Sequence, residues 1–310
     1  MRYEADGLET RGETEMKHPA SERLGKDSGD MLDQHFKEQF TPQAFLSGKI
    51  QEELDHYYAY DNFDQRFRHR QRINATMGGV LAMTGIRARR IVDLGCGVGV
   101  FSILCAEAGG EVVSCDMDGL LLKKLAGWSA KRDYAQRIDI LQCDGTMTGL
   151  PADHFDVSIC ANVLAYLSHP HLIFNEMHRV LKPGGVGVVS EENLCSFRVA
   201  CLAVAGHPIV RGLRGKEQAA TIVWRRLVGF PFWRLMVMAR RAGLEIVGLR
   251  SANVLPYLHG ALIRRAANRS MALVSIWEML NQSLGKTPLI RAFGSNVTCM
   301  FRKPQQTDFA

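Results

Sequence analysis

The sequence predicts an α/β chain built on a doubly wound, mostly parallel sheet of seven strands with helical insertions. Two observations carry that expectation. Apolar, β-branched runs alternate with helical stretches at roughly 20 to 30 residues per strand-plus-helix unit, the rhythm of parallel strands joined by crossover helices. The first of these runs, Ile91–Leu94, passes directly into Gly95-Cys96-Gly97-Val98-Gly99. That is a strand, a tight turn and a helix start in which missing Cβ atoms let the backbone approach a bound molecule.

Taken in order, residues 1–33 are acidic and polar without apolar periodicity and are expected to form a disordered tail. Residues 34–84 are expected to be a helical segment that lies across a site. Tyr57, Tyr58, Tyr60, Phe63 and Phe67 interleave there with charges, and a helix is predicted over 72–84. Residues 85–310 form the sheet domain. Its strands are expected at 91–94, 112–115, 138–141, 157–160 and 186–189, with 244–249 and 297–301 as a closing pair. Two insertions are expected, at about 194–228 and 251–295, both mixing apolar and basic residues such as Trp224, Arg225, Arg264 and Trp277. They read as helical lids over an apolar or anionic small molecule. A peripheral membrane contact for a lipid or quinone is the alternative.

Composition narrows the class. The chain of 310 residues is 46% hydrophobic and 23% charged, as in an ordinary globular protein. No apolar run reaches the ~20 residues that cross a bilayer; the run 199–210 is broken by Gly206-His207-Pro208. The polar N-terminus gives no reason to expect a secretory signal. Eight cysteines stand singly, without a C-x-x-C pair and several within strands, so reduced core thiols and a cytoplasmic location are expected. The formal net charge is +6, although residues 1–30 hold eight acids against five bases. The remainder is basic enough to admit an anionic partner, yet no nucleic-acid-binding motif accompanies it, and no nucleic-acid partner is expected.

The chemistry-bearing residues follow the strands. Asp93 precedes the glycine turn, and the spacing G-x-G-x-G departs from the G-x-G-x-x-G of pyrophosphate-binding loops. A carboxylate there suits a ligand carrying an ammonium or sulfonium group. Asp116 ends the second strand, where a carboxylate can accept from a ribose diol, while Asp118 is placed to cap the next helix. Asp144 with Gly145 follows the third strand, and Asp156 precedes the fourth at the opposite edge, which favours a structural role.

These motifs, together with Asp156-Val157-Ser158-Ile159-Cys160-Ala161-Asn162 and Leu181-Lys182-Pro183-Gly184-Gly185, resemble in order and spacing the class I S-adenosylmethionine (SAM) dependent methyltransferases. The resemblance covers residues 90–190 and implies a Rossmann-like seven-stranded sheet whose last strand is antiparallel. It implies SAM as cofactor, held by Asp93, Gly95, Cys96, Gly97, Gly99, Asp116, Met117, Asp144, Gly145 and Asn162. In that family the acid after the third strand meets the adenine amine. Ubiquinone-biosynthesis O-methyltransferases are similar in the core, but they carry metal-binding acids and a histidine where this chain has Asn162, Ala165 and Tyr166. A metal-independent reaction is therefore expected, with no metal ligands assigned; His169-Pro170-His171 lacks a third ligand.

Methyl transfer needs mainly in-line positioning, with a general base only where the acceptor is a hydroxyl. Glu191, Tyr166 and His171 are the catalytic candidates, with Glu191 and Glu192 expected on a loop after the fifth strand. The expected acceptor is a small molecule, most readily a hydroxyl of a secondary metabolite, sugar or aromatic compound. A non-catalytic SAM-binding scaffold is the reading from another class.

Overall fold

In a computed structural model, the structure describes residues 63–130, 132–197, 199–200, 229–254, 280–281 and 283–305. The N-terminal tail, Tyr57–Tyr60 and most of both expected insertions lie outside the described residues.

The predicted sheet is present. It comprises β1 (Arg90–Leu94), β2 (Glu111–Asp116), β3 (Ile138–Gln142), β4 (Phe155–Ala161), β5 (Leu181–Glu192), β6 (Glu245–Ala252) and β7 (Asn296–Arg302). The spatial order is β3-β2-β1-β4-β5-β7-β6. Strands β1 to β5 pair in parallel, and β7 runs antiparallel to both β5 and β6. Among the described residues, helices α1 (Phe63–Met83), α2 (Val100–Glu107), α3 (Gly119–Ser129), α4 (His171–Val180) and α5 (Phe232–Arg241) accompany it.

Alternation along the buried strands divides the core between two faces. Ile91, Val157 and Val188 pack with Ile73, Val80 and Leu104 on one face. Val92, Leu94 and Val189 pack with Phe174, Met177, Leu235 and Phe301 on the other. Helix α1 contacts β5, β6 and β7, burying Ile73, Met77 and Val80 at the i, i+4, i+7 positions of one helical stripe.

Two expectations need correction. Helix α1 begins at Phe63, nine residues before the predicted start; the dense Arg, Gln and His of 63–71 are compatible with helix, and a period search for apolar residues passes over them. Strand β5 runs through Glu191 and Glu192, which pair with Val297 and Asn296 of β7. They are strand residues, not a substrate-facing loop. Tertiary pairing with β7 overrides the low strand propensity of glutamate.

The chain leaves β1 and β4 toward opposite sides of the sheet order, and this reversal opens a crevice at the strands' carboxyl ends.

Candidate functional site

A cavity of about 570 Å³ occupies that crevice, within the usual size for a small-molecule site. It is lined by Asp93 of β1 with Gly95, Cys96 and Gly97 after it, by Asp116 at the end of β2 with Met117 and Asp118 after it, and by Asp144 and Gly145 after β3. Asn162, Val163 and Tyr166 after β4 complete the wall, with His69 and Arg72 entering from α1.

The β1 turn is fixed by backbone bonds. The N–H groups of Gly95 and Cys96 both donate to the Cys115 carbonyl, at 2.8 and 2.9 Å. All three glycines take positive φ, 71° at Gly95, 57° at Gly97 and 80° at Gly99, a region that side chains other than those of Gly, Asn and Asp rarely enter. Their surroundings differ. A Cβ on Gly95 would lie 2.4 Å from Val163, and one on Gly99 2.4 Å from Leu125, whereas one on Gly97 meets nothing within 4 Å. Gly97 lines the cavity and is the glycine of the three whose missing side chain leaves open space. Gly99 does not line the cavity; it serves the packing of α2 against α3.

Asp93 is buried at the cavity floor. Ser102 Oγ donates to it at 2.7 Å, and Ser114 Oγ donates in turn to Ser102 at 2.8 Å. Burial pushes its carboxyl up to about 7, opposed in part by the Ser102 hydrogen bonds. A cation reaching this carboxylate would recover the charge that desolvation disfavours.

Asp118 takes the capping role the sequence suggests, and Asp116 lines the cavity. Asp118 Oδ1 caps α3, accepting from the N–H of Leu120 at 2.8 Å and of Leu121 at 3.4 Å. Asp116 Oδ2 accepts from the Gly97 N–H at 2.7 Å and Oδ1 from the Asp118 N–H at 2.9 Å. Each oxygen keeps a second lone pair for a ligand hydroxyl. Met117 is exposed at the rim, and Gln142 Nε2 donates to its carbonyl at 3.0 Å. Asp144 both forms a turn, accepting from Thr146 N–H and Oγ at 2.8 and 2.7 Å, and lines the cavity. Asp156, at the far edge, accepts from Arg90 N–H and pairs with Lys182 at 2.8 Å, a structural role.

Of the catalytic candidates, the structure brings only Tyr166 to the cavity, 57% exposed. His171 opens α4 outside the lining, its ring 6.0 Å from His169. Glu191 is 1% exposed, absent from the lining, and accepts the Leu164 N–H at 2.7 Å. The sequence reading missed His69 and Arg72, two residues three apart on one face of α1. Their i, i+3 spacing was the available signal, hidden among the arginines of 66–72. With the Asn162 amide oriented so that its carbonyl faces α1, the Arg72 guanidinium donates to it from both Nη1 and Nε. Among the described residues no group of three or more His, Cys, Asp or Glu is arranged to hold a metal ion. None of the described helices is long and apolar enough to cross a membrane.

Comparison with known proteins agrees with this geometry. Residues 92–189 match a family described as a methyltransferase domain. A ubiquinone biosynthesis O-methyltransferase of Histophilus somni is 32% identical over 127 residues, 39% of this chain and 52% of the relative. Another, of Methylococcus capsulatus, is 24% identical over 212 residues, 67% of this chain and 86% of the relative. The chain thus spans about half the length of the Histophilus protein and most of the Methylococcus one. Among solved structures, the [4+2]-cyclase SpnF shares the fold at a TM-score of 0.50 and 19% identity, covering 75% of this chain and 81% of that one. The putative methyltransferase bound to the Trm112 activator of Haloferax volcanii does so at 0.51 and 17%, covering 82% and 97%. At those identities the structures speak for the fold.

Proposed function

We propose that this chain, which carries a class I SAM-dependent methyltransferase domain with SAM as its cofactor, methylates a hydroxyl oxygen of a small molecule without help from a metal. The acceptor class is a secondary metabolite, sugar or aromatic compound; the names of the relatives in Histophilus and Methylococcus, both O-methyltransferases, support the choice of oxygen. The observation that carries the reading is one cavity with carboxylates at its β1, β2 and β3 walls and an aromatic hydroxyl, an imidazole and a guanidinium at the other end.

When bound, SAM supplies a methyl group already activated on a sulfonium. The chain's own residues then have positioning work to do. Asp116 accepts from the ribose diol and Asp144 from the adenine amine, with Met117 covering the base. Asp93 meets the ammonium of the methionine moiety, and Arg72, the cavity's guanidinium, meets its carboxylate. Gly97 leaves the space these groups need. At the acceptor end Tyr166 orients the hydroxyl. His69, an imidazole lining the same cavity, receives its proton. Glu191 and His171, off the cavity wall, do neither.

The test is turnover. The full chain is incubated with SAM and a panel of phenols, catechols, quinols and sugars, with S-adenosylhomocysteine as readout, in the presence and absence of excess chelator. Release that depends on a hydroxylated acceptor and persists in chelator is the expected result. Turnover only on amines, or turnover abolished by chelator and restored by magnesium, would overturn the oxygen or the metal-independent part of the reading respectively.

A further inference from the structure

The turn after β4 is gripped from both faces of the sheet. On the α1 face, the Asn162 side chain, with its amide carbonyl turned toward α1, accepts from the Arg72 guanidinium. On the opposite face, where β5 presents Val189 to the core, Glu191 accepts the Leu164 N–H. Between them the Asn162 N–H donates to the Ser190 carbonyl at 2.8 Å. Asn162 itself holds a left-handed backbone, φ 58°, which Asn tolerates better than most residues but at a cost. Val163 fills the space that a Cβ on Gly95 would need. The wall of the cavity at Asn162, Val163 and Tyr166 is therefore set by what holds this turn.

From this geometry we infer that Glu191 is a positioning residue: its buried carboxyl, by accepting the Leu164 N–H, fixes the Asn162–Tyr166 turn and thereby the end of the cavity where methyl donor and acceptor meet. The inference rests on the reading that the cavity takes SAM. Its chemistry separates Glu191 from a general base, which needs hydrogen-bond reach to the acceptor's proton. Glu191 has no face on the cavity.

The charged and titratable surroundings agree. Burial dominates and pushes the Glu191 carboxyl up to about 8; Glu192 on the same strand adds to this, while the Val163 and Leu164 N–H groups and Arg72 of α1 oppose it. The Cys160 thiol on β4 also faces it, and is itself raised by burial and by Glu191. At neutral pH the group is mostly the uncharged acid, whose carbonyl still accepts the amide. Gln has the same carbonyl in nearly the same volume. An apolar side chain of that size would leave the Leu164 N–H buried without an acceptor, a loss on the scale of a full desolvation.

The experiment compares the full-length wild type, Glu191→Gln and Glu191→Leu by SAM titration calorimetry and by hydrogen exchange of the peptide spanning 160–167. The wild-type titration judges the cofactor reading first; the exchange arm judges Glu191 even if no SAM binds. Glu191→Gln should match wild type within about threefold in both, and Glu191→Leu should bind SAM about tenfold more weakly and exchange Leu164 at least about tenfold faster. If Glu191→Leu leaves affinity and exchange unchanged, the inference fails. It fails equally if folded Glu191→Gln loses affinity or protection by more than about tenfold, a result that also decides the matter should Glu191→Leu not fold.

Discussion

At the β1–β3 edge, the cavity wall is made of turns that directly follow their strands. Gly95–Gly99, Asp116–Asp118 and Asp144–Gly145 each lie within a few residues of a strand end; Asp118 and Asp144 bond backbone two residues on, and Asp116 bonds the adjoining β1 turn at Gly97. At the β4 edge, the wall is assembled from distant pieces. Arg72 of α1 reaches Asn162, Glu191 of β5 holds Leu164, and Val163 packs over Gly95. The first half is local and rigid by construction. The second depends on three elements agreeing, which makes it the half where a specificity change or a destabilising substitution acts through packing.

Breaking the joint between the halves should have the largest effect. Gly95→Val would drive a β-branched side chain into Val163 at φ 71°, adding left-handed strain to overpacking, each about 1–3 kcal/mol. Thermal unfolding should show the loss, and SAM binding should vanish with it. Gly97→Ala separates the two halves of that argument. With open space around its Cβ it should keep most of the stability, losing about 1–2 kcal/mol to its φ, while calorimetry shows SAM affinity sharply reduced. Equal damage from both substitutions would erase the distinction between packing and ligand-facing glycines.

The next effect belongs to the local half. Asp116→Ala should weaken SAM binding by about 1.5–3 kcal/mol, the cost of losing a charged hydrogen-bond partner, and the protein should stay folded. Unchanged affinity would move the ribose contact elsewhere.

Smaller again is the response to pH. The Asp93 carboxyl is raised to about 7, so it is charged above pH 7 and increasingly protonated below. SAM affinity should hold above pH 7 and fall below it by up to about tenfold per unit. Stability runs the other way. Between the ordinary carboxyl values and the raised ones, about 7 for Asp93 and about 8 for Glu191, the native state binds more protons than the unfolded chain. Stability therefore falls as pH rises through that window. Glu191→Gln should flatten its upper part, read by chemical denaturation at pH 5 to 9.

The smallest expected effect is at His171. Outside the cavity lining, its replacement by Ala should leave SAM affinity within about twofold, since surface changes away from special features cost little.

The difference between the halves also explains what the sequence disclosed. The strands, the order of the motifs and the cap at Asp118 were legible because apolar runs, glycine turns and capping residues are written within a few consecutive residues, even though the strands themselves pair with partners far along the chain. Glu191 was misplaced because two adjacent glutamates look like a solvated loop, and only pairing with β7, more than a hundred residues on, makes them strand. His69 and Arg72 were hidden for the same reason. Nothing local distinguishes them from the other basic residues of α1, and it is the packing of that helix on β5, β6 and β7 that brings them to the cavity. Gly99 shows the converse: it fits the motif, yet its neighbour is Leu125 rather than open space.

A crystal structure of the full chain with S-adenosylhomocysteine tests the account most directly. The adenosine should lie between Asp116 and Asp144, the amino group should point to Asp93, and the sulfur should face Tyr166 and His69. Density for the ligand outside this cavity, or no ligand at about 1 mM, the weak end of cofactor affinities, would contradict it.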